Sequence, residues 1–213
     1  DRDSVRINDG YQNKNSLQED ISAALRATYN HKFAKQGRSL TMRANLKFTN
    51  TSKMDTTYAW DRMSASALVD QHTLSGNNAF NYSLRTSFVE PIYGKNHFIE
   101  TVLSFSGNNR NSLKDQYSMM DGEYRYDSVY SNALTNNMYT EQLELNYRWV
   151  SEKVDLTAGA RVLATQTYSK TFYGDLLARD TLYNRWNWSP NVRFRYKFGK
   201  KEFARINYRG RVS

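Results

Sequence analysis

Between residues 115 and 131 the sequence reads DQYSMMDGEYRYDSVYS, so Tyr117, Tyr124, Tyr126 and Tyr130 crowd together with Asp121, Glu123 and Asp127. Phenol rings at this density can stack on a sugar or another planar ligand, which makes the four tyrosines the candidate ligand-binding residues. The three carboxylates lack the spacing of a calcium-binding EF-hand loop, and a solvated acidic loop is the simpler account of them. A second chemical signal is cationic. Arg26, Arg43, Arg85, Arg148, Arg161, Arg193, Arg195, Arg205 and Arg209, with Lys32, Lys47 and Lys197, fall on one side of strand-like alternating patterns, so much of the formal charge of +9 points one way. Such a wall can be merely solvated, with Glu100, Glu144 and Asp155 as occasional partners. It can also seat another protein domain or draw in anionic solutes, because a surface of one sign focuses field. Nucleic-acid binding would place stacking aromatics on the cationic side, and here they lie on the opposite one, so no nucleic-acid partner is expected.

Catalytic constellations are missing from the sequence. His31, His72 and His97 stand in separate segments without metal-ligand spacing, and no HExxH, GxSxG, Walker loop or GxGxxG occurs. With no cysteine there is neither a thiol nucleophile nor a disulfide framework. The expectation is a protein that is not an enzyme and needs no cofactor or metal.

The elements that carry these residues are read from period-two alternation. Residues 137–168 show it most clearly: Tyr139, Leu143, Leu145, Tyr147 and Trp149 share one face, interrupted by Glu141, opposite Gln142, Glu144, Asn146 and Arg148. After the polar turn SEK, the residues Val154, Leu156, Ala158, Ala160, Val162 and Ala164 continue the apolar face. The same hairpin pattern recurs from Ile21 to Phe48 around KQGR, from Phe80 to Phe105 around PIYGKN, and from Trp186 to Tyr208 around GKKE. High tyrosine (16 residues) and scarce proline (2) favour sheet over helix, and no linker divides the chain.

The spacing predicts an all-β fold, an antiparallel up-and-down meander of about eight strands forming part of a larger transmembrane β-barrel over residues 1–213. Four tight turns alternate with three long polar stretches, at about 49–79, 107–137 and 169–185, read as outer loops, and residues 1–18 read as a further one. Short turns at one end and long loops at the other are the habit of outer-membrane barrels, whereas a Greek-key sandwich has no reason to sort its loops this way. Strands of about ten residues suit a tilted bilayer crossing, and aromatics near their ends suit the headgroup level. Outer-membrane lipid is therefore the first expected partner. Segments 59–74 and 120–130 carry some alternation of their own and could extend strands past the membrane. No run of apolar residues is long enough for a transmembrane helix, and DRDSVRINDG is not a signal peptide.

The hairpins SLRTSFVEPIYGKNHFIETVLSFS (83–106) and NVRFRYKFGKKEFARINYRGRVS (191–213) resemble the C-terminal barrel portion of TonB-dependent outer-membrane receptors of the Bacteroidota type. That resemblance covers the chain from about residue 19 and implies a 22-stranded barrel, plugged by an N-terminal domain of the same full-length protein. Such a receptor imports a specific nutrient with energy relayed by an inner-membrane partner. Neither the plug nor a coupling motif occurs in these residues, so the chain reads as an interior piece of a large wall in the bacterial outer membrane. Two other readings are a complete eight-stranded barrel with a structural or adhesive role, in which Ile21–Tyr29 pairs with Ala204–Tyr208, and a soluble β-rich binding protein whose apolar face lies under a second sheet.

Overall fold

The computed structural model describes residues 10–61, 66–174, 176–199 and 202–210. They form one antiparallel sheet of nine strands: β1 (Gly10–Lys32), β2 (Ser39–Asp61), β3 (Ser66–Tyr93), β4 (His97–Met120), β5 (Glu123–Tyr126), β6 (Asn132–Val150), β7 (Val154–Tyr173), β8 (Leu176–Lys197) and β9 (Phe203–Arg209). Eight of them follow the sequence as a meander, β1-β2-β3-β4-β6-β7-β8-β9, while β5 folds back onto the end of β4. The sheet does not close: β1 pairs only with β2, and β9 only with β8.

Register explains why the alternation was so regular. One cross-strand row runs Ala27, Ala44, Leu84, Phe105, Glu141, Ala164 and Trp186, and the next on that face runs Leu103, Leu143, Val162 and Trp188. Since paired residues in an antiparallel ladder point the same way, the apolar sets of successive strands merge into one continuous face. Nothing in the described structure covers that face. The two buried hydrophobic residues among the described ones, Ala79 and Val102, lie on the opposite face, and Trp186 on this one remains 75 % exposed. A water-soluble sandwich would bury this surface under a second sheet, so the covered-face alternative is not the observed architecture.

Aromatic rings mark two edges of the apolar band. Toward the short turns, Phe33 packs edge-on to Phe88 at 6.1 Å, His97 stacks on Trp149 with planes 2° apart, and Tyr196 meets Phe198 at 5.0 Å. The His97 Nδ1 and the Tyr147 hydroxyl lie 2.6 Å apart, giving the polar tips of this belt a partner. Toward the other end, Tyr82 packs against Phe80 at 5.5 Å and Phe105 at 5.9 Å. Along β8 the two edges are Trp186 and Tyr196. That separation, at ~3.3 Å per residue and a tilt of ~40°, rises about 25 Å, the height of an outer-membrane apolar band.

The long polar stretches are where the fold departs from the expected loops. Residues 49–61 pair with 10–22 and, from the other side, 66–79 pair with the same strand. Likewise 107–120 is β4, 132–137 is β6, 169–173 is β7 and 176–185 is β8. The expected loop at 1–18 contains the first residues of β1, from Gly10 to Gln18, and residues 1–9 lie outside the described ones. These segments lost apolar alternation because both of their faces meet water, yet a ladder needs only backbone N–H and C=O groups. Asparagine, serine and threonine side chains pair across strands there: Ser112 donates to Asn77 at 2.9 Å, and Thr51 to Asp20 at 2.6 Å.

Candidate functional site

All nine predicted arginines lie on the face opposite the apolar band, as their register requires. They do not share one environment. On β1 to β4, Arg26 donates through Nε to Asn45 at 3.0 Å, and Arg85 donates to Ser104 at 3.2 Å and stands 4.0 Å from the Glu144 carboxylate. Arg43 lines the same hollow as Arg85 and Glu100, and Arg161 is the cross-strand partner of Glu144. On β6 to β9, Arg148, Arg193, Arg195 and Arg205 fall in two rows, Asp155, Arg195 and Arg205, then Arg148, Thr157, Arg193 and Asn207, and Arg209 pairs with Asn191.

One glycine makes room between the two groups. A Cβ at Gly159 would fall 2.2 Å from Asn146 Oδ1 and 2.3 Å from the Leu145 carbonyl, so only glycine lets the Asn146 side chain lean across β7. From there Asn146 donates to Glu144 at 2.9 Å and accepts from Asn191 on β8 at 3.3 Å. Glu144 also accepts from Gln142 at 3.2 Å, so this carboxylate is held on the β4 to β7 side.

Of the candidate tyrosines, three are brought together. Tyr117 on β4 and Tyr126 on β5 meet edge to face at 5.8 Å. Tyr124 stacks on His72 at 4.0 Å and donates its hydroxyl to Asp70 at 2.6 Å. That bond to a carboxylate holds the Tyr124 phenol above its ordinary pKa. Tyr130 stays apart in the following turn and is 59 % exposed. The alternation over 120–130 corresponds to β5, and its turn is Asp121-Gly122, both at positive φ, an Asp-Gly turn that folds β5 onto β4. Asp127 is occupied by the backbone: its Oδ1 accepts from the Val129 and Tyr130 N–H groups, and its own carbonyl accepts from Ser131. Among the described residues no three His, Cys, Asp or Glu side chains converge as a metal site would require. His72 and Asp70, which complete the tyrosine cluster, gave no signal in the sequence because only the β3–β4 register places them there.

A model of the outer membrane protein beta-barrel family matches residues 31–213. The chain belongs to that family. Its place is therefore the bacterial outer membrane, its uncovered apolar face the lipid-facing side of a barrel wall, and its arginine-bearing face the lumen side. No curated protein matches the chain. In this outer-membrane β-barrel family protein the tight turns at 33–38, 94–96 and 151–153 lie at one rim, and the Tyr117–Tyr124–Tyr126 cluster sits near the other, beyond the aromatic band.

Proposed function

We propose that the chain is barrel wall of a TonB-dependent receptor that imports a specific nutrient, rather than an enzyme or a small complete barrel. The observation that carries this is the excess length of the strands: β3 runs from Ser66 to Tyr93, although the apolar band needs only about ten residues per strand. All of the excess lies at one end, where it forms a paired polar rampart able to hold an external vestibule. The open sheet supports the same reading, since β1 and β9 each keep a free edge that further strands would pair. In the intact protein a plug domain would rest against the basic lumen face, and an inner-membrane partner would supply energy through it. The projecting ends would meet the nutrient first; Tyr117, Tyr124 and Tyr126 stand on the outward side of that rampart, in register with Phe105.

The test compares compounds depleted from medium by the wild-type bacterium, a deletion strain and a complemented strain, with and without a protonophore. One compound or a narrow class should persist in the deletion medium, and its uptake should stop when the proton gradient is collapsed. Unchanged depletion across all strains, or uptake indifferent to the protonophore, would count against an energised importer.

A further inference from the structure

The lumen arginines divide by their counter-charges. Arg43, Arg85 and Arg161 have Glu100 or Glu144 within their rows or hollows, and Glu144 is tied down by Gln142 and Asn146. On β7 to β9 a hollow of about 480 Å³ is lined by Arg193, Arg195, Arg205 and Arg209 with Asp155 as its sole carboxylate. Glu152 and Glu202 line an adjoining hollow at the turn tips with Lys153, Lys197 and Phe203, and Arg195 stands between the two hollows. Asn191 and Asn207 interleave the arginines and add neutral donors to the same wall.

Two further observations show a built surface rather than a loose brush of side chains. The Phe203 ring, facing the lumen from β9, lies 4.3 Å from the Arg195 guanidinium carbon and 5.5 Å from that of Arg205. Cation–π contact with one ring fixes both guanidinium groups next to each other, which their mutual repulsion would otherwise oppose. The Arg195 Nε is also buried and has no hydrogen-bond partner among the described residues. The acceptor that fits the rigid fork of N–H groups on a guanidinium is a planar or tetrahedral oxyanion.

We infer that this hollow is a binding site for a small solute carrying two or more clustered oxyanion groups, carboxylates or phosphates. Arg195 and Arg205 would clamp one group in bidentate fashion, with Arg193 and Arg209 taking the next. The volume falls in the range that encloses a small ligand, and the hollow is confined to three strands. This inference rests on the face being a lumen open to solutes, and it adds a ligand chemistry that the importer proposal leaves open.

The experiment is isothermal titration of the full-length protein in detergent micelles at low salt with three probes: citrate, inorganic pyrophosphate and an oligoglutamate peptide. Citrate and pyrophosphate should bind saturably. R195Q and R205Q should each weaken that binding roughly tenfold or more, while R43Q and R85Q on the balanced part of the wall should change it less than about twofold. Far-UV circular dichroism and detergent-resistant mobility identify variants that remain folded, and R195K separates loss of the fork from loss of charge, because lysine keeps the charge without the bidentate geometry. Absence of saturable binding overturns the proposal. So does equal weakening by all four glutamine variants, which indicates a diffuse field, or binding of the peptide alone, which assigns the surface to a protein segment. Protonophore-sensitive uptake by a protein that fails to bind these probes would leave the importer standing and remove only this site.

Discussion

Glu141 is the residue that most disturbs the lipid-facing side. It sits in the row between Phe105 and Ala164, in a hollow of about 520 Å³ lined otherwise by Leu103, Leu143, Val162 and Trp186. A carboxylate there stands at the edge of the apolar band, in the row of Phe105 and Trp186, and an apolar side chain of similar reach should be preferred. Glu141→Leu is expected to stabilise the intact barrel by about 1 kcal/mol in lipid, read from urea unfolding in vesicles. Tyr124 makes a prediction of opposite sign in pH. Its folded pKa is raised, so the stabilisation from its bond to Asp70 is fully present below the ordinary tyrosine value of about 10 and is lost as pH rises through the higher folded value. Ultraviolet titration should show one late-ionising tyrosine in the wild type that is missing in Tyr124→Phe. If the wild type shows no late-ionising tyrosine, or the variant keeps it, the Asp70 contact does not form in solution.

At the scale of elements, the hairpin grammar was readable wherever one face meets lipid. Ile21 to Tyr29, Leu40 to Phe48 and Leu143 to Trp149 alternate because lipid and lumen demand different side chains at successive positions. The same strands continue past the band as TNTSKMDTTY and SGNNRNSLK, where both faces meet water and the alternation fades, so these stretches read as loops although their ladders are unbroken. The tight turns were placed correctly because Gly and Lys punctuate them, but the Asp121-Gly122 turn within the 120–130 alternation was masked by its acidic surroundings. The cationic face was visible from spacing alone. Its division was not, since it depends on Asn146 crossing Gly159 and on Phe203 standing between two arginines from different strands. Gly159→Ala tests that crossing: the added methyl meets the Leu145 carbonyl, which cannot swing away as a side chain would, and the cost is expected to be about 1–3 kcal/mol. Equal stability of this variant would mean that β6 and β7 are spaced more widely than observed.

The molecule as a whole is a single curved ladder without a conventional interior, stabilised by backbone pairing on two flanks of each inner strand and by the two solvents it separates. Its central property is that sidedness: hydrocarbon against one face and lumen water against the other. The chain contains no cysteine, so single nitroxide labels can be placed along it without competing thiols from this segment. The most direct measurement labels residues 142–147 one at a time in the intact barrel reconstituted in bilayers, and compares collision with oxygen, which concentrates in lipid, against collision with a water-soluble nickel chelate. Leu143, Leu145 and Tyr147 should favour oxygen, and Gln142, Glu144 and Asn146 should favour nickel, alternating with period two. A flat profile, or one with the phases exchanged, would contradict the assignment of the two faces.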